Sequence, residues 1–352
     1  MKLFYAEQQS EHAPPTFLLR GKPAPSPERP ERALRLVRAI EGMGLAVTAP
    51  SDLDSPRLRQ RLEQIHTPRY LTFLETIHGR WQALPGAAEL VSPNVHACGG
   101  GHHYPDHPVG QAGWHLHDMA CPIGATSFAG ILASAATAQA AAEAVVGGER
   151  CAYALCRPPG HHAGPDRAGG FCFLNNSALA ALVLREVHER VAILDVDLHH
   201  GNGTQDIFYA RGDVWTGSLH ADPSAFYPFF WGGADEHGVG QGRDANVNMP
   251  LPLGSDGHRF MQTLEALIEG MEAYRPGAVV VALGLDAHKD DPLAGFALET
   301  EDFVRVGERL GRLSTPIVLV QEGGYPTESL GANLAAFLDG FRRTFFITHD
   351  EA

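Results

Sequence analysis

The chain has 352 residues, 44 % hydrophobic and 19 % charged, a balance that excludes a disordered segment and suits one large α/β domain, residues 1–352. Its net charge of -14 argues against nucleic acid as a partner and suits a small cationic substrate. MKLFYAEQQSEH lacks a signal-peptide apolar core and no run reaches the length expected of a membrane span, so a cytoplasmic protein with no membrane partner is expected.

In chain order, the first distinctive stretch is SPNVHACGGGHHYPDHPVGQAGWHLHD (92–118), rich in Gly, Pro and His and without periodicity. It is read as a long loop, part of an insertion over about 84–124, and such loops in compact domains are usually functional. An alanine-rich helix follows over 125–146 and stops at Gly147-Gly148. CAYALC (151–156) reads as a strand, NNSALAALVLREVHER (175–190) as a helix, and VAILDVD (191–197) and VWTGSL (214–219) as strands. A helix over 256–274 precedes the strand AVVVALGL (278–285), a helix over 299–313 precedes PIVLVQ (316–321), and a helix covers 331–345. Continuous apolar strands alternating with helices predict a central parallel β-sheet flanked by helices on both faces. The five cysteines form no CxxC pair and are read as free thiols of a reducing compartment.

Each predicted strand runs into polar residues: RPPGHH, DVDLHHGNG, SLHADP, LDAHKDDP and QEGGY. In open parallel sheets, sites form at the carboxyl ends of the strands, so these residues converge on one rim. Along VAILDVDLHH, side chains alternate, and Asp195, Asp197 and, if the strand continues, His199 point the same way. Buried carboxylates that close need cations or donors. Asp197 and His199 supply two ligands for a catalytic Zn²⁺, and Asp286, at another strand end, can supply the third; Fe²⁺ or Mn²⁺ also suit this set. Read alone, Asp195 is as well explained by a turn or cap as by a site. Pro158-Pro159-Gly160 presents His161 and His162, whose tandem imidazoles beside a metal fit general base and general acid roles. Gly323-Gly324 allows a sharp turn that aims the Tyr325 hydroxyl at a substrate carbonyl oxygen.

Together, RPPGHHAG, GGFCFLNN, DVDLHHGNGTQDIFY, SLHADP, LDAHKDDPLAGF and QEGGY resemble the zinc-dependent histone deacetylase superfamily, of arginase-like α/β fold, and within it the bacterial acetylpolyamine amidohydrolases. IHTPRYLTFLE (65–75) matches a helix segment of that family. The resemblance implies zinc on Asp197, His199 and Asp286, with His161 as base backed by Asp195. It implies His162 beside His161, backed by Asn202, and Tyr325 on the scissile carbonyl. Phe171 and Tyr227 would wall an aliphatic tunnel, and Gly170 would offer its carbonyl to the substrate amide. Asp195, Ser218 and Leu219 would hold a K⁺ or Na⁺ ion. A homodimer or higher homo-oligomer is implied, with the 92–124 stretch at its mouth. The implied reaction is hydrolysis of acetyl amides of primary amines, acetylated polyamines first. Acetyl-lysine in peptides and other small amides remain open, since IGATSF (123–128) lacks the family's usual tryptophan in that turn. A binuclear manganese hydrolase would need a second ligand set, for which His288 is the one hint. A non-catalytic binder would be expected to lack a ligand, a base or the tyrosine, and none is lacking.

Overall fold

The computed structural model describes residues 1–97, 102–293 and 295–350, the last three without their side chains. Cys98 and the glycines 99–101 of the expected loop lie outside the described residues. Its strands are β1 (Lys2–Phe4), β2 (Thr16–Leu19), β3 (Lys22–Pro25), β4 (Cys151–Ala154), β5 (Val191–Asp195), β6 (Val214–Ala221), β7 (Asn246–Leu251), β8 (Ala278–Leu283) and β9 (Ile317–Gln321). Its α-helices are α1 (Pro30–Gly42), α2 (Pro56–Leu62), α3 (Pro68–Gln82), α4 (Pro108–His115), α5 (Ser127–Val146), α6 (Asn176–Arg185), α7 (Asn202–Phe208), α8 (Gly257–Tyr274), α9 (Thr300–Gly311) and α10 (Leu330–Asp350).

Seven strands form one parallel sheet in the order β1-β4-β9-β8-β5-β6-β7, and β2 and β3 form a separate antiparallel hairpin. Strand periodicity splits the core into two layers. Ile193, Val280, Val318 and Val320 pack toward α2, α3, α5 and α6. Leu194, Val279, Val281 and Leu319 pack toward α1, α8, α9 and α10. Both faces are thus buried, which is why the central strands read as unbroken apolar runs.

All five strands read from the sequence form. Two edge strands were not read: β1 spans three residues, and β7 (NVNMPL) mixes polar with apolar positions. The long loop over 92–118 is corrected by α4, which His107 caps through the Val109 N–H ahead of Pro108. This is the same cap-then-proline start that opens α2 (Ser55-Pro56) and α3 (Thr67-Pro68). The expected absence of any span-length apolar run is also corrected: α5 is long and apolar enough to cross a membrane by length and hydropathy. Here its window is 72 % buried, as a core helix against α6 and β4.

Several further histidines are buried in the fold. Burial lowers His66 and His220 to about 4, and it holds His12 well below its ordinary value, with Arg157 adding to the effect. A base with a depressed folded pKa contributes stability that is present above its unfolded value of 6.5 and lost as pH falls through the folded value. For His66 the full effect is roughly 3 kcal/mol. The melting temperature is therefore expected to fall steadily between pH 6.5 and 4. A level melting temperature across that window, read by differential scanning calorimetry, would contradict this.

Candidate active site

β5 ends at Asp195 and the chain continues through Asp197 and His199. β8 ends just before Asp286, beside it in the sheet. His199 Nδ1 lies 3.2 Å from Asp197 Oδ1 and 3.1 Å from Asp286 Oδ2. One ligand atom from each of the three lies within 4.8 Å of the others, and all three residues are buried. Backbone donors orient the carboxylates. Gly323 N–H donates to Asp197 Oδ2 (2.7 Å), His199 N–H to Asp197 Oδ1 (2.9 Å), and Leu198 N–H to Asp286 Oδ1 (3.1 Å). A Cβ at Gly323 would collide with both carboxylates, so glycine keeps that space open.

Burial alone would raise Asp197, but His161 and His199 outweigh it and hold the carboxyl below its usual range. Burial, with the Asp197 charge, raises Asp286. Two buried carboxylates of opposed tendency facing one imidazole are costly without a cation. Two oxygen donors and one nitrogen donor fit a divalent metal of the zinc class.

The β4 end delivers the histidine pair. His161 Nδ1 lies 3.0 Å from Asp195 Oδ2, and His162 Nδ1 lies 2.8 Å from Asn202 Oδ1. The two rings are 4.0 Å apart by centroid. Burial pulls His161 down, but Asp197 and Asp195 outweigh it and raise the imidazole to about 10. Burial and the neighbouring His161 and His199 hold His162 well below its ordinary value. Opposite tendencies in adjacent imidazoles suit one proton holder and one proton acceptor. Sequence reasoning missed Glu322: its Oε2 accepts from Gly160 N–H (2.6 Å) and His161 N–H (3.0 Å), and its Oε1 from the Ser177 hydroxyl (2.7 Å). It thereby fixes the turn that presents the pair. The α3 start also braces this loop, since His66 Nδ1 lies 2.9 Å from Gly164 O and the Tyr70 hydroxyl donates to Phe173 O (2.7 Å).

A cavity of about 440 Å³ opens onto His162, His199 and Tyr325. Gly170 (φ 53°) and Phe171 (φ 68°) both adopt the left-handed region, which is strained for phenylalanine and turns its ring into the wall. The Phe171 ring meets Tyr325 edge-on at 5.6 Å, and the Tyr227 ring meets His162 edge-on at 5.0 Å. Phe17 of β2, Phe226 and Leu293 complete the apolar wall. None of the three was singled out from the sequence. Phe226 stacks on His199 at 5.2 Å, and Phe17 meets Phe171 edge-on at 5.4 Å. Gly170 O accepts a long bond from Cys172 Sγ (3.4 Å). Among the described residues, no partner takes the Tyr325 hydroxyl.

Asp118 belongs to this wall. Its Oδ2 accepts from the Tyr227 hydroxyl (2.7 Å) and Gly170 N–H (2.9 Å), and its Oδ1 from Ala120 N–H (2.9 Å). Asp195 and Ser218, expected at a monovalent cation, are register partners of β5 and β6 and line one small polar cavity. Leu219 is buried beside them in β6. His288 is not part of a second ligand set among the described residues; its Nδ1 faces the Ser329 hydroxyl (3.3 Å) and its ring stacks on Phe303. The four described cysteines are buried free thiols.

A model of the histone deacetylase domain matches residues 26–341. The acetylpolyamine amidohydrolase of Burkholderia pseudomallei is 43 % identical over 347 residues, covering 97 % of this chain and 98 % of the relative. Acetylpolyamine amidohydrolase 1 of Pseudomonas aeruginosa is 41 % identical over 96 % of this chain and 97 % of the relative. The crystal structure of the Burkholderia pseudomallei acetylpolyamine aminohydrolase superposes with a TM-score of 0.92 at 44 % identity, covering 97 % of this chain and 98 % of that chain. The family implies a divalent metal, usually zinc, which the Asp197–His199–Asp286 set suits. A parallel sheet whose strand ends assemble that set, a histidine pair and a free phenol, joined to a domain match over most of the length, makes the chain a deacetylase of the histone deacetylase family.

Proposed function

We propose that this enzyme hydrolyses the acetyl amide of acetylated polyamines, with zinc on Asp197, His199 and Asp286. The observation that carries the reading is the tunnel. It is walled by Phe17, Phe171, Phe226 and Leu293 and reaches His162, His199 and Tyr325. It takes an aliphatic chain lengthwise. Asp118 is the one carboxylate among its lining residues, so it is the group to attract the distal ammonium. The names carried by the relatives agree with this substrate class.

A zinc ion held there supplies Lewis acidity and makes water a stronger acid. The chain's own groups do the rest. Tyr325 donates its hydroxyl to the acetyl carbonyl oxygen as negative charge develops on it. His162, which faces the cavity, accepts the proton of the attacking water, and His161, paired with Asp195, is the store from which the leaving amine is protonated, the reverse of the base role the resemblance implied for His161. Gly170 O would accept from the substrate amide N–H, and Phe171 and Tyr227 would keep water off the chain. A potassium or sodium ion at Asp195, Ser218 and Leu219 belongs to the same proposal. So does a homodimer through the mouth, where Phe229 (54 %) and Phe230 (76 %) are exposed beside Leu18 and Leu19.

The deciding experiment measures kcat/KM of zinc-loaded protein on N-acetylputrescine and on an acetyl-lysine peptide side by side. A strong preference for the diamine is expected. Asp118→Asn is expected to raise KM for the diamine about tenfold more than KM for a neutral N-acetylalkylamine, since both substrates feel any shift of Tyr227 and Gly170 but only the diamine loses its charge partner. Preference for the peptide would overturn the polyamine reading, and an unchanged diamine KM in the variant would overturn the role of Asp118. Sedimentation equilibrium on the same preparation reads the dimer, and a monomer would remove it.

A further inference from the structure

Between β8 and α9 the chain loops out through Asp291 and Leu293. Asp291 is buried, 5 % exposed, and no cation pairs with it among the described residues. Both of its oxygens are used. Oδ1 accepts from Leu293 N–H (2.9 Å), and Oδ2 accepts from Tyr325 N–H (2.9 Å). Leu293 and Tyr325 both line the substrate cavity, so one carboxylate ties two of its walls together.

The bond to Tyr325 falls on a particular peptide unit. The carbonyl of that unit belongs to Gly324, whose φ is +108°, and it accepts from Arg32 Nε (2.5 Å). The N–H of the same unit donates to Asp291. The peptide plane before Tyr325 is therefore held at both ends, by a buried guanidinium on one side and a buried carboxylate on the other. Rotation of that plane would swing the Tyr325 Cα–Cβ bond and carry the hydroxyl with it. A glycine on the near side leaves the backbone free to rotate unless something holds it.

We propose that Asp291 is a positioning residue for the deacetylation. It fixes the peptide plane that aims the Tyr325 hydroxyl and, through its other oxygen, sets the place of Leu293 in the cavity wall. The proposal rests on the reading of Tyr325 as the carbonyl donor. Carboxylate chemistry is needed because both partners are N–H donors: asparagine has one acceptor oxygen and would turn its NH₂ against one of them. Glutamate keeps both acceptor oxygens but lengthens the arm by a methylene.

The test is a double-mutant cycle on zinc-loaded protein with N-acetylputrescine, using Asp291→Asn, Tyr325→Phe and the pair, with metal content measured on each. A donor displaced by about 1 Å costs about 10²-fold in rate, so Asp291→Asn is expected to lower kcat by about that factor with zinc retained and KM little changed. In the Tyr325→Phe background the same substitution is expected to cost less than about threefold, because there is no hydroxyl left to misplace. Asp291→Glu serves as the second variant if Asp291→Asn does not fold, with the same expected pattern. Equal losses in both backgrounds, loss of zinc, or a parental kcat would overturn the proposal. Tyr325→Phe with parental kcat would overturn the donor assignment and this proposal with it, whereas a slow Tyr325→Phe beside a fast Asp291→Asn would overturn this proposal alone.

Discussion

Asp197→Ala and Asp286→Ala are each expected to lose bound metal and amide hydrolysis together, down to background. Either change leaves one carboxylate and one imidazole, too few ligands for a catalytic zinc site. The fold also bears a cost that must be kept apart from the metal effect. Asp197 accepts from Gly323 N–H and His199 N–H, and a buried donor left unpaired costs about 1–3 kcal/mol. Asp286→Asn separates the two, because its oxygen can still accept from Leu198 N–H while its charge is gone. Binding that favours the folded state raises its melting temperature. The parent is therefore expected to melt higher with added zinc, and Asp286→Asn to show no such rise. In the metal-free state Asp286→Asn is expected to melt no lower than the parent, because one of two crowded buried carboxylates has been neutralised. Metal analysis, calorimetry and turnover on one preparation check all three. Full activity in any of these variants rules out the ligand assignment.

Tyr325→Phe is expected to keep its metal and its fold and to lose about 10²–10³ in kcat, the range for removing one donor to a developing oxyanion. The ring has packing roles that phenylalanine preserves, edge-on to Phe171 and beneath the Arg32 guanidinium at 5.4 Å. Burial raises the phenol well above its ordinary value, so it stays a neutral donor across the working pH range. Because the donor acts on charge that develops during the reaction, KM should move little. A variant as fast as the parent would show that the phenol does not touch the reacting carbonyl.

How much of this could be read before folding depends on how local each signal is. The strand ends were legible because a buried strand is an unbroken apolar run, and polar residues at its end stand out. Strand periodicity placed Asp195, Asp197 and, if the strand continued, His199 on one side; β5 ends at Asp195, and the bend after it brings His199 onto Asp197 while Asp195 turns to His161. The pairing of Asp195 with His161 and of Asn202 with His162 came from the family resemblance, and the geometry agrees. The helix α4 could have been read from His107-Pro108, had the Gly- and His-rich stretch around it not masked the start.

Other parts had no local signature. β7 is a strand because β6 offers it a ladder of backbone partners, not because its own pattern alternates cleanly. Glu322 looks like one more residue of a glycine turn until it meets Gly160, 162 positions away. Asp118 is one acid in an irregular stretch until Tyr227, 109 positions on, gives it a hydroxyl. Asp291 and Phe17 are likewise ordinary until the loops that carry them close over the cavity. The sequence by itself determined the five inner strands, their buried faces and the polar residues at their ends, because these follow from short-range alternation and from the cost of burying charge. Only the tertiary structure decided which loop residues brace those polar groups and shape the cavity, because hydrogen bonds between distant segments depend on where the chain returns, and no periodicity records that.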